Sequence, residues 1–317
     1  MKTMPLTLED VRRARELIAG AAIRTPLVRL NVWDAPAEIF LKLENLQPIG
    51  SFKIRGAATA MNLMSRAELA KGVLTASAGN MAQGVAWNAR RLGIRCTVIA
   101  PDTAPQTKVR AVERLGGRVI TVPFDRWWQT FSDRSFPEID GTFVHPFDDE
   151  RVMAGNGTIG LELLEDLPEL DSVLIPWGGG GLAIGIATAL RALKPSVRIY
   201  AVEAETGAPF TASWQAGSPQ VVDYRPSFVD GIGSKTVFAN MLAMAKDLLD
   251  GSFTAGLDQI SAAVKLIAER NRVIAEGAGA VALAVALTGK AGTGQVACIV
   301  SGGNIDAAKL ATILSQP

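Results

Sequence analysis

The sequence is poor in the residues that build the commonest metal and acyl-transfer sites. Among its 317 residues there are one histidine and two cysteines. A single histidine cannot supply the several imidazole ligands of common zinc sites, and any Ser-His-Asp arrangement would depend on His145 alone. Cys96 and Cys298 each lie in a strand-like apolar run, so we expect buried thiols in a reducing cytoplasm rather than a disulfide or a metal pair. If the chain is an enzyme, another side chain or a cofactor has to move the protons.

The sequence also lacks an excess of charge and long apolar runs. The formal net charge is +1, which gives no electrostatic case for nucleic acid or an acidic lipid surface as a partner. The longest apolar run, Ala278–Leu287, has about half the length needed to span a membrane. Residues 1–5 lead directly into a charged helical pattern, so we expect no signal peptide. With 48% hydrophobic and 20% charged residues, the composition is that of a globular protein of about two domains.

Strand-like and helical patterns alternate along most of the chain, which predicts parallel sheets covered by helices. The predicted strands are 39–43, 73–76, 95–100, 118–122, 173–176, 198–203 and 296–300. Two segments break the alternation. Asp125–Thr142 is polar and is predicted to be irregular, with Trp127 and Trp128 packing at a domain or subunit face. Gly207–Phe238 has few periodic features and is predicted to be a long functional loop.

One segment, Pro48–Gly56, places a lysine in an unusual setting. Lys53 stands between Phe52 and Ile54, after the strand-like run 39–43. Apolar neighbours disfavour the charged ammonium, lower the pKa of the amine and can make it nucleophilic enough to form a Schiff base. The alternative is an ordinary lysine whose stem packs while its ammonium reaches water. Taken alone, this segment favours the ordinary lysine, because lysines are rarely catalytic.

Three small-residue turns follow predicted strands: Ser77–Asn80, Gly178–Gly181 and Ser301–Asn304. Ligands of parallel α/β sheets bind outside the carboxyl ends of the strands. Glycines let backbone N–H groups converge on a ligand, and the positive end of the following helix favours an anion such as phosphate. The spacing matches neither dinucleotide-binding folds nor P-loops, so we do not expect the phosphate of NAD or ATP. The alternative is that the glycines only allow a helix to pack tightly on the sheet.

Asn80 and Ser301 are short polar residues at two of these strand ends. Each alone is more often a helix cap than a ligand contact. Together with an activated Lys53 and a phosphate-binding loop, they indicate pyridoxal phosphate (PLP). This cofactor needs a lysine for its aldehyde, a phosphate site, and partners for its ring nitrogen and ring hydroxyl.

With these residues in place, the chain resembles the PLP-dependent serine/threonine dehydratases of the tryptophan-synthase-β fold, also called fold type II. The motifs that carry the resemblance are LKLENLQPIGSFKIRGA at 41–57, SAGNMAQG at 77–84, HPFDDERVMAGNGTIGLELL at 145–164, GGGGL at 178–182, VEAE at 202–205, EGAGAVAL at 276–283 and SGGN at 301–304. The resemblance implies a two-domain α/β fold, each domain an open, mostly parallel twisted sheet with helices on both faces. A large PLP-binding domain is expected at 1–66 and 146–317, and a small mobile domain at 67–145.

The resemblance also implies a role for each residue of the site. Lys53 forms the Schiff base with PLP and moves the substrate Cα proton, and Phe52 packs beside the ring. Asn80 bonds the ring hydroxyl, Ser301 faces the ring nitrogen, and Glu276 lies near the ring edge. The phosphate is held by Gly178, Gly179, Gly180, Gly181 and the amide of Leu182. The substrate carboxylate is received by the loop of Ser77, Gly79, Asn80 and Met81.

Some of these positions depart from the family pattern. The catalytic positions implied by the resemblance are Lys53, Ser77 and Ala78. Ala78 stands where racemising relatives carry a second acid–base serine, which disfavours racemisation. Met81 replaces a histidine and Trp177 replaces a small aliphatic residue, so the identity of the substrate stays open.

The cation site that the resemblance implies is incomplete. The family binds the cation with two acidic side chains, at and after the strand that carries the VEAE motif at 202–205. Glu203 holds the first of these positions, and Pro209 holds the second. Glu203 is therefore retained as a candidate ligand of a mono- or divalent cation, and no complete metal site is predicted. Few residues follow Asn304, so we also expect none of the appended regulatory domain of the biosynthetic threonine enzymes.

These features predict a PLP-dependent ammonia-lyase that converts a 3-hydroxy-α-amino acid, such as threonine or serine, to a 2-oxo acid and ammonia. A neutral Ser301 at the ring nitrogen, as the resemblance implies, favours elimination over long-lived carbanions. The open alternatives are a bulkier 3-hydroxy amino acid such as a β-aryl serine, a β-replacement or racemase activity, a catalytically silent binding protein, and an NAD-binding protein. The retained Lys53, Asn80, glycines and Ser301 argue against a silent protein. We expect an amino-acid substrate and a homodimer.

Overall fold

A computed structural model describes residues 6–316; residues 1–5, where we expect no signal peptide, and residue 317 lie outside the described part. The chain packs into two compact units, which are described separately. The first unit comprises the residues up to 23 together with 47–156. The second unit comprises 24–46 and the residues from 157 onwards.

The described residues form strands in two sheets. In chain order the strands are β1 (Leu27–Arg29), β2 (Glu38–Lys42), β3 (Val73–Ala76), β4 (Cys96–Pro101), β5 (Arg118–Val122), β6 (Thr142–Phe143), β7 (Ser172–Pro176), β8 (Arg198–Ala204), β9 (Gly251–Ala255) and β10 (Gln295–Ile299). Strands β3 to β6 belong to the first unit, and the others belong to the second.

The strands alternate with helices along most of the chain. The α-helices are α1 (Leu8–Leu17), α2 (Lys53–Asn62), α3 (Arg66–Lys71), α4 (Asn80–Leu92), α5 (Gln106–Arg114), α6 (Phe124–Asp133), α7 (Glu150–Asp166), α8 (Gly181–Leu193), α9 (Pro209–Ala216), α10 (Ala239–Leu248), α11 (Leu257–Leu266), α12 (Gly277–Ala286) and α13 (Ala307–Leu314). Short 3₁₀ turns occur at Glu44–Leu46 and Asp230–Ile232, and a π-helical turn at Ile267–Asn271 continues α11.

The first unit is built on a parallel sheet in the order β5-β4-β3-β6. Strand β3 pairs with β4 so that Val73 lies opposite Cys96. Met81 and Val85 of α4 share one apolar cluster with Met61 of α2. Because only residues 77–79 separate β3 from α4, the positive end of α4 lies at the carboxyl end of β3.

The second unit is built on a sheet in the order β1-β2-β10-β7-β8-β9. Strands β1 and β2 are antiparallel, and the other neighbours are parallel. Every residue of α12 is buried in this unit, which explains the apolar run at 278–287 as an interior helix. No helix within residues 6–316 is long and apolar enough to cross a membrane.

The predicted fold class is confirmed, since both sheets are mostly parallel and alternate with helices. The prediction for Asp125–Thr142 is wrong in its first half, which forms α6. Its aromatic residues recur at helical spacing, and the polar residues between them hid that period. Trp127 packs against the cluster of Leu74 and Ile99, whereas Trp128 remains 42% exposed. A subunit face at these tryptophans stays a prediction.

The structure refines the prediction for one further segment. The predicted loop Gly207–Phe238 contains α9, so it is irregular mainly from residue 217 onwards. The predicted domain division, with 1–66 and 146–317 in one domain and 67–145 in the other, stays a prediction, and the compact unit that contains the four-stranded sheet comprises the residues up to 23 and 47–156. A mobile domain at 67–145 stays a prediction. Cys96 and Cys298 are both buried free thiols, as expected.

Candidate active site

The lysine of the Pro48–Gly56 segment is the first residue of α2. Its Nζ donates a hydrogen bond to the carbonyl oxygen of Pro146 at 2.7 Å and lies 5.1 Å from the centre of the Phe52 ring. Although Lys53 as a whole is partly exposed, desolvation of the ammonium group lowers its pKa from 10.5 to about 8. Burial acts in this direction on any amine, because it disfavours the charged form. The lowered pKa that the apolar neighbours predict is therefore present.

Close contacts at glycines fix the helix that carries Lys53. A Cβ on Gly84 of α4 would lie 3.2 Å from the Lys53 carbonyl oxygen, so α4 crosses α2 at the lysine itself. A Cβ on Gly56 would lie 2.7 Å from a side chain of α7, and one on Gly155 would lie 2.5 Å from the carbonyl oxygen of Arg55. Backbones this close leave no room for a side chain. Helix α2 is thus held against α4 and the start of α7, which fixes the backbone of the lysine.

The turn of residues 77–79 joins β3 to α4 in the same unit. The Gly79 N–H donates to the Ser77 Oγ at 3.2 Å, and Gly79, which precedes α4, has no side chain to cap the helix. A Cβ on Gly79 would meet none of the described atoms within 4 Å, so this backbone borders open space. Asn80 is the first residue of the helix. The turn therefore combines backbone N–H groups with a positive helix end, which suits a carboxylate.

Two side chains in and directly after this turn, those of Ala78 and Met81, pack into the first unit. Met81 is 2% exposed and belongs to the same apolar cluster as Ala57 and Val85. Ala78 packs against the small cluster that contains Ala100. A contribution of Met81 to substrate binding is thus left to its backbone, because its side chain is part of the core.

His145 supports the loop next to Lys53. Its Nδ1 accepts hydrogen bonds from the backbone N–H groups of Phe147 and Asp148 at 3.3 and 2.8 Å. Burial is the largest cause that lowers the pKa of this imidazole from 6.5 to about 3. The ring stays neutral at pH 7 and remains an acceptor. It thereby fixes the loop whose Pro146 carbonyl receives the Lys53 Nζ.

The four glycines follow β7 and lead into α8 in the second unit. Gly180 has a φ of +92°, and a Cβ on it would lie 2.6 Å from the ring of Trp177. Tight packing therefore requires glycine at this position, as the packing alternative expects. Tight packing does not exclude a ligand at the start of α8, because Gly180, which precedes the helix, has no side chain to cap it. The loop presents backbone N–H groups and a helix N-terminus, which is the chemistry that binds phosphate.

Ser301 and Gly302, beyond the carboxyl end of β10, are hydrogen-bonded to the start of α12 and to Glu276 before it. The Ser301 Oγ donates to the carbonyl oxygen of Ala278 at 3.4 Å, and the Glu276 N–H donates to the carbonyl oxygen of Gly302 at 3.0 Å. The side chains of Ser301 and Glu276 are buried, with 4% and 7% exposure. The N-terminal turn of α12 therefore holds Ser301 in place.

The 3₁₀ turn Asp230–Ile232 contacts both the glycine loop and Glu276. A Cβ on Gly178 would lie 3.3 Å from the backbone of this turn, and a Cβ on Gly231 would lie 3.5 Å from the Glu276 Oε1. Strands β7 and β10 are hydrogen-bonded neighbours, so the glycine loop and Ser301 follow adjacent strand ends. The second unit thus brings together the residues predicted to hold the phosphate and the ring nitrogen.

The donors around Glu203 do not fit a cation. This residue is the second-last of β8, and its Oε1 accepts from the Phe210 N–H at 3.0 Å. Its Oε2 accepts from the Thr211 N–H at 2.7 Å and from the Thr211 Oγ1 at 2.8 Å. Burial raises the pKa of Glu203 to about 7. Among residues 6–316 no group of three or more His, Cys, Asp or Glu side chains could hold a metal ion. We therefore derive no step through a cation.

Sequence reasoning missed the packing behind the glycine loop. Trp177 is fully buried and stacks on Phe210, with the ring centroids 3.8 Å apart and the planes at 24°. The one indication of this packing in the sequence was that Trp177 is larger than the small aliphatic residue that the family resemblance implies at this position. Phe210 gave none, because its segment was expected to be a loop.

The chemistry of the described residues fits PLP. The first unit supplies an amine with a lowered pKa for the aldehyde and Asn80 at the start of α4. The second unit supplies a loop that a Cβ would obstruct at Gly180, the N-terminus of α8 for the phosphate, and the hydroxyl of Ser301. These are the groups that PLP requires.

Comparisons with known proteins agree with this fit. A family model described as pyridoxal-phosphate dependent enzyme matches residues 18–302. The L-threonine ammonia-lyase of Thermotoga maritima is 38% identical over 316 residues, which cover 98% of this chain and 79% of that protein. The catabolic L-threonine dehydratase of Escherichia coli K12 is 36% identical over 318 residues, which cover 98% of this chain and 96% of that protein. Among solved structures, maize serine racemase superposes with a TM-score of 0.89 at 32% identity, over 98% of this chain and 97% of that one.

Proposed function

Because the chain belongs to the family of pyridoxal-phosphate dependent enzymes, we propose that it converts L-threonine, or a similar 3-hydroxy amino acid, to a 2-oxo acid and ammonia. The observation that carries the proposal is Lys53, whose amine has a pKa of about 8 within a motif of this family. The water lost from the substrate is regained when the released imine is hydrolysed, so the net products are one oxo acid and one ammonia.

Each predicted site residue receives a role in this proposal. Lys53 binds the aldehyde carbon, Phe52 packs beside the ring, and Asn80 bonds the ring hydroxyl. The glycine loop and the Leu182 amide hold the phosphate. Ser301 faces the ring nitrogen and Glu276 the ring edge. When bound, PLP supplies an electron sink that makes the Cα–H of the substrate acidic.

Lys53 is proposed to be the base that takes this proton. With a pKa of about 8, roughly one amine in ten is neutral at pH 7, whereas an ordinary lysine is almost entirely charged. The Pro146 carbonyl holds the Nζ by a hydrogen bond, which limits the positions that the amine can take. Ser301 is uncharged, so it does not stabilise a proton on the ring nitrogen as a carboxylate would.

The substrate carboxylate is proposed to bind at the turn of residues 77–81. Support comes from the N-terminus of α4, which follows a glycine, and from the open space beside Gly79. Similarity to serine racemase makes racemisation the second candidate. The methyl group of Ala78 counts against it, because racemisation needs a second group that returns a proton to the opposite face of Cα.

The proposal is tested with purified PLP-loaded protein and a panel of 3-hydroxy amino acids. The panel contains L- and D-threonine, L- and D-serine and a β-aryl serine. We expect 2-oxo acid and ammonia in equal amounts, with L-threonine the fastest substrate, and no inversion of the remaining serine on chiral chromatography. PLP bound without oxo acid from any member of the panel contradicts the proposal. Inversion of serine without oxo acid supports the racemase instead.

We also propose that the protein is a cytoplasmic homodimer. The cytoplasm is supported by two buried reduced thiols. The dimer rests on the family resemblance of the motifs. Sedimentation equilibrium measures the assembly directly, and a monomer at micromolar concentration would contradict it.

A further inference from the structure

A fully buried aromatic pair lies behind the glycine loop in the second unit. Trp177 and Phe210 are both 0% exposed and stack at 3.8 Å. The Cζ2 and Cη2 atoms of Trp177 would each lie 2.6 Å from a Cβ on Gly180, so the ring edge touches the glycine with the left-handed backbone. The Trp177 Nε1 has no hydrogen-bond partner within residues 6–316. What this side chain contributes is therefore the surface of its ring.

Helix α9 holds Phe210 against Trp177, and Glu203 holds the start of α9. Glu203 is 1% exposed, and both its oxygens accept hydrogen bonds from the first turn of the helix. Pro209 fits the first position of α9 because it has no N–H to leave unpaired. Glu203 is ionised above its pKa of about 7, and hydrogen bonds to an ionised acceptor are shorter and stronger than those between neutral groups. The carboxylate thus fixes Phe210 through the backbone N–H of that residue.

We propose that Glu203, Phe210 and Trp177 form a buttress that holds Gly180 in its left-handed conformation and so sets how tightly the glycine loop binds the phosphate of PLP. The inference rests on the proposed function only in taking PLP as the ligand of this loop. N–H groups whose directions are fixed before binding lose less entropy when the phosphate arrives. All three side chains are positioning residues, since Trp177 acts through Gly180 and the other two act through Trp177.

The buttress works without a bound cation. Glu203 already faces two N–H donors and one hydroxyl, and a cation at its oxygens would have to displace them. The positive end of α9 takes the place that a cation would have beside this carboxylate. The affinity for PLP is therefore independent of divalent and monovalent cations.

The test compares PLP with pyridoxal, which has the same aldehyde but no phosphate. Dissociation constants of both ligands are measured by absorbance titration of the apoprotein for the wild type, Trp177→Phe and Glu203→Gln. Phe fills less space beside Gly180, and the amide nitrogen of Gln cannot accept the hydrogen bonds that one carboxylate oxygen receives. We expect the constant for PLP to rise about tenfold in each variant and that for pyridoxal to stay the same. Equal losses for both ligands, or no loss for PLP, overturn the proposal.

Matched variants separate the buttress from a general effect on folding. Glu205→Gln changes an exposed carboxylate two residues along the chain, and we expect no change in either constant. Thr211→Val removes the hydroxyl that donates to Glu203, whereas Thr211→Ser keeps it. We expect only the valine variant to lose affinity for PLP, and this pair carries the test if Trp177→Phe does not fold. Equal PLP affinities of the two variants count against the buttress.

Cations give an independent arm of the same experiment. Adding Mg²⁺, Ca²⁺ or K⁺, or removing metals with a chelator, is expected to leave the PLP constant of the wild type unchanged. A gain on adding a cation that is lost in Glu203→Gln would make Glu203 a cation ligand and overturn the proposal. Failure of the proposed function is distinguishable, because it appears as wild-type protein that binds PLP but forms no oxo acid, and the phosphate affinity is measured without turnover.

Discussion

The two regions that carry the predicted site use the chain in opposite ways. In the first unit the chemistry rests on one side chain, Lys53, whose amine is altered by its surroundings. In the second unit the predicted phosphate site rests on Gly178–Gly181, which have no side chains and whose backbone is partly exposed at Gly178 and Gly179. Truncating a reactive side chain removes its chemistry, whereas adding a side chain to a glycine obstructs a backbone binding site. Substitutions in the first region should therefore lower the rate of the reaction, and substitutions in the second should lower the affinity for PLP.

The largest effect is expected at the reactive side chain. Lys53→Ala removes both the amine that binds the aldehyde and the proposed base, so turnover should fall by at least about 10⁴-fold. The yellow colour that borohydride bleaches should also be lost. Steady-state oxo acid release and the absorption spectrum measure the two losses. Lys71→Ala, at an exposed lysine of the same unit, serves as the control and should leave both unchanged. Turnover that survives in Lys53→Ala would remove the lysine from its role.

The backbone site should respond instead to one added methyl group. Gly180→Ala introduces a Cβ 2.6 Å from the Trp177 ring at a φ of +92°. Such strain costs on the order of 1–3 kcal/mol, so we expect about a 10- to 100-fold loss of PLP affinity. Absorbance titration with PLP measures this loss.

A matched glycine separates the contact from the backbone strain. Gly217 also has a positive φ, of +74°, but a Cβ on it would meet no described atom within 4 Å. Gly217→Ala should lower the free energy of unfolding by about 1 kcal/mol and leave the PLP affinity unchanged. If Gly180→Ala and Gly217→Ala lose PLP affinity equally, the loss does not come from the glycine loop, and the proposed backbone site in the second unit is contradicted.

The pH dependence of cofactor capture sharpens the account of Lys53. Only the neutral amine attacks an aldehyde, and the lowered pKa makes it neutral above about pH 8. The rate at which the apoprotein captures PLP should thus rise about tenfold per pH unit below pH 8 and level off above it. Stopped-flow absorbance measures the rate, and the same reaction with free N-acetyl-lysine corrects for the titration of PLP itself. A rise that continues to the pKa of an ordinary lysine would show that the burial has no effect on reactivity.

The smallest effect is expected at Met81, whose side chain belongs to the core of the first unit. Met81→His restores the residue that the family resemblance expects, but it places a polar ring in an apolar cluster. We expect the free energy of unfolding to fall by about 1–3 kcal/mol. Met81→Leu keeps the volume and should cost less than about 1.5 kcal/mol. Urea denaturation measures both, and a histidine variant as stable as the wild type would show that the side chain at 81 reaches water.

The sequence was informative wherever a pattern was local. The alternation of apolar runs predicted the parallel sheets, and small residues after strands predicted the turns at 77–80, 178–181 and 301–304. The amphipathic α6 was predictable in principle, because Phe124, Trp127, Trp128 and Phe131 recur at helical spacing. It was missed because polar residues surround them. Strand β9 was missed because Gly251–Ala255 has a single large apolar residue.

The features that sequence could not give depend on contacts between distant residues. The VEAE motif does not show that the Glu203 carboxylate accepts hydrogen bonds from the N–H groups of α9, since those donors belong to residues 210 and 211. The same holds for Trp177, whose stacking partner lies beyond the next strand. The lowered pKa of Lys53 was expected from its apolar neighbours, but the Pro146 carbonyl that receives its Nζ is 93 residues away. Roles on the cofactor came from the family motifs, because no spacing in one sequence distinguishes a helix cap from a ligand contact.

The buried state of His145 simplifies the interpretation of any pH–rate profile. It is the only histidine of the chain, and its pKa of about 3 lies below the range in which such profiles are recorded. An inflection near neutrality therefore cannot be attributed to an imidazole. Lys53, with a pKa of about 8, and Glu203, with a pKa of about 7, are side chains to which it can be assigned. Glu203→Gln then separates the two groups, because an inflection that disappears in this variant belongs to the remote carboxylate, whereas one that remains belongs to the reactive amine.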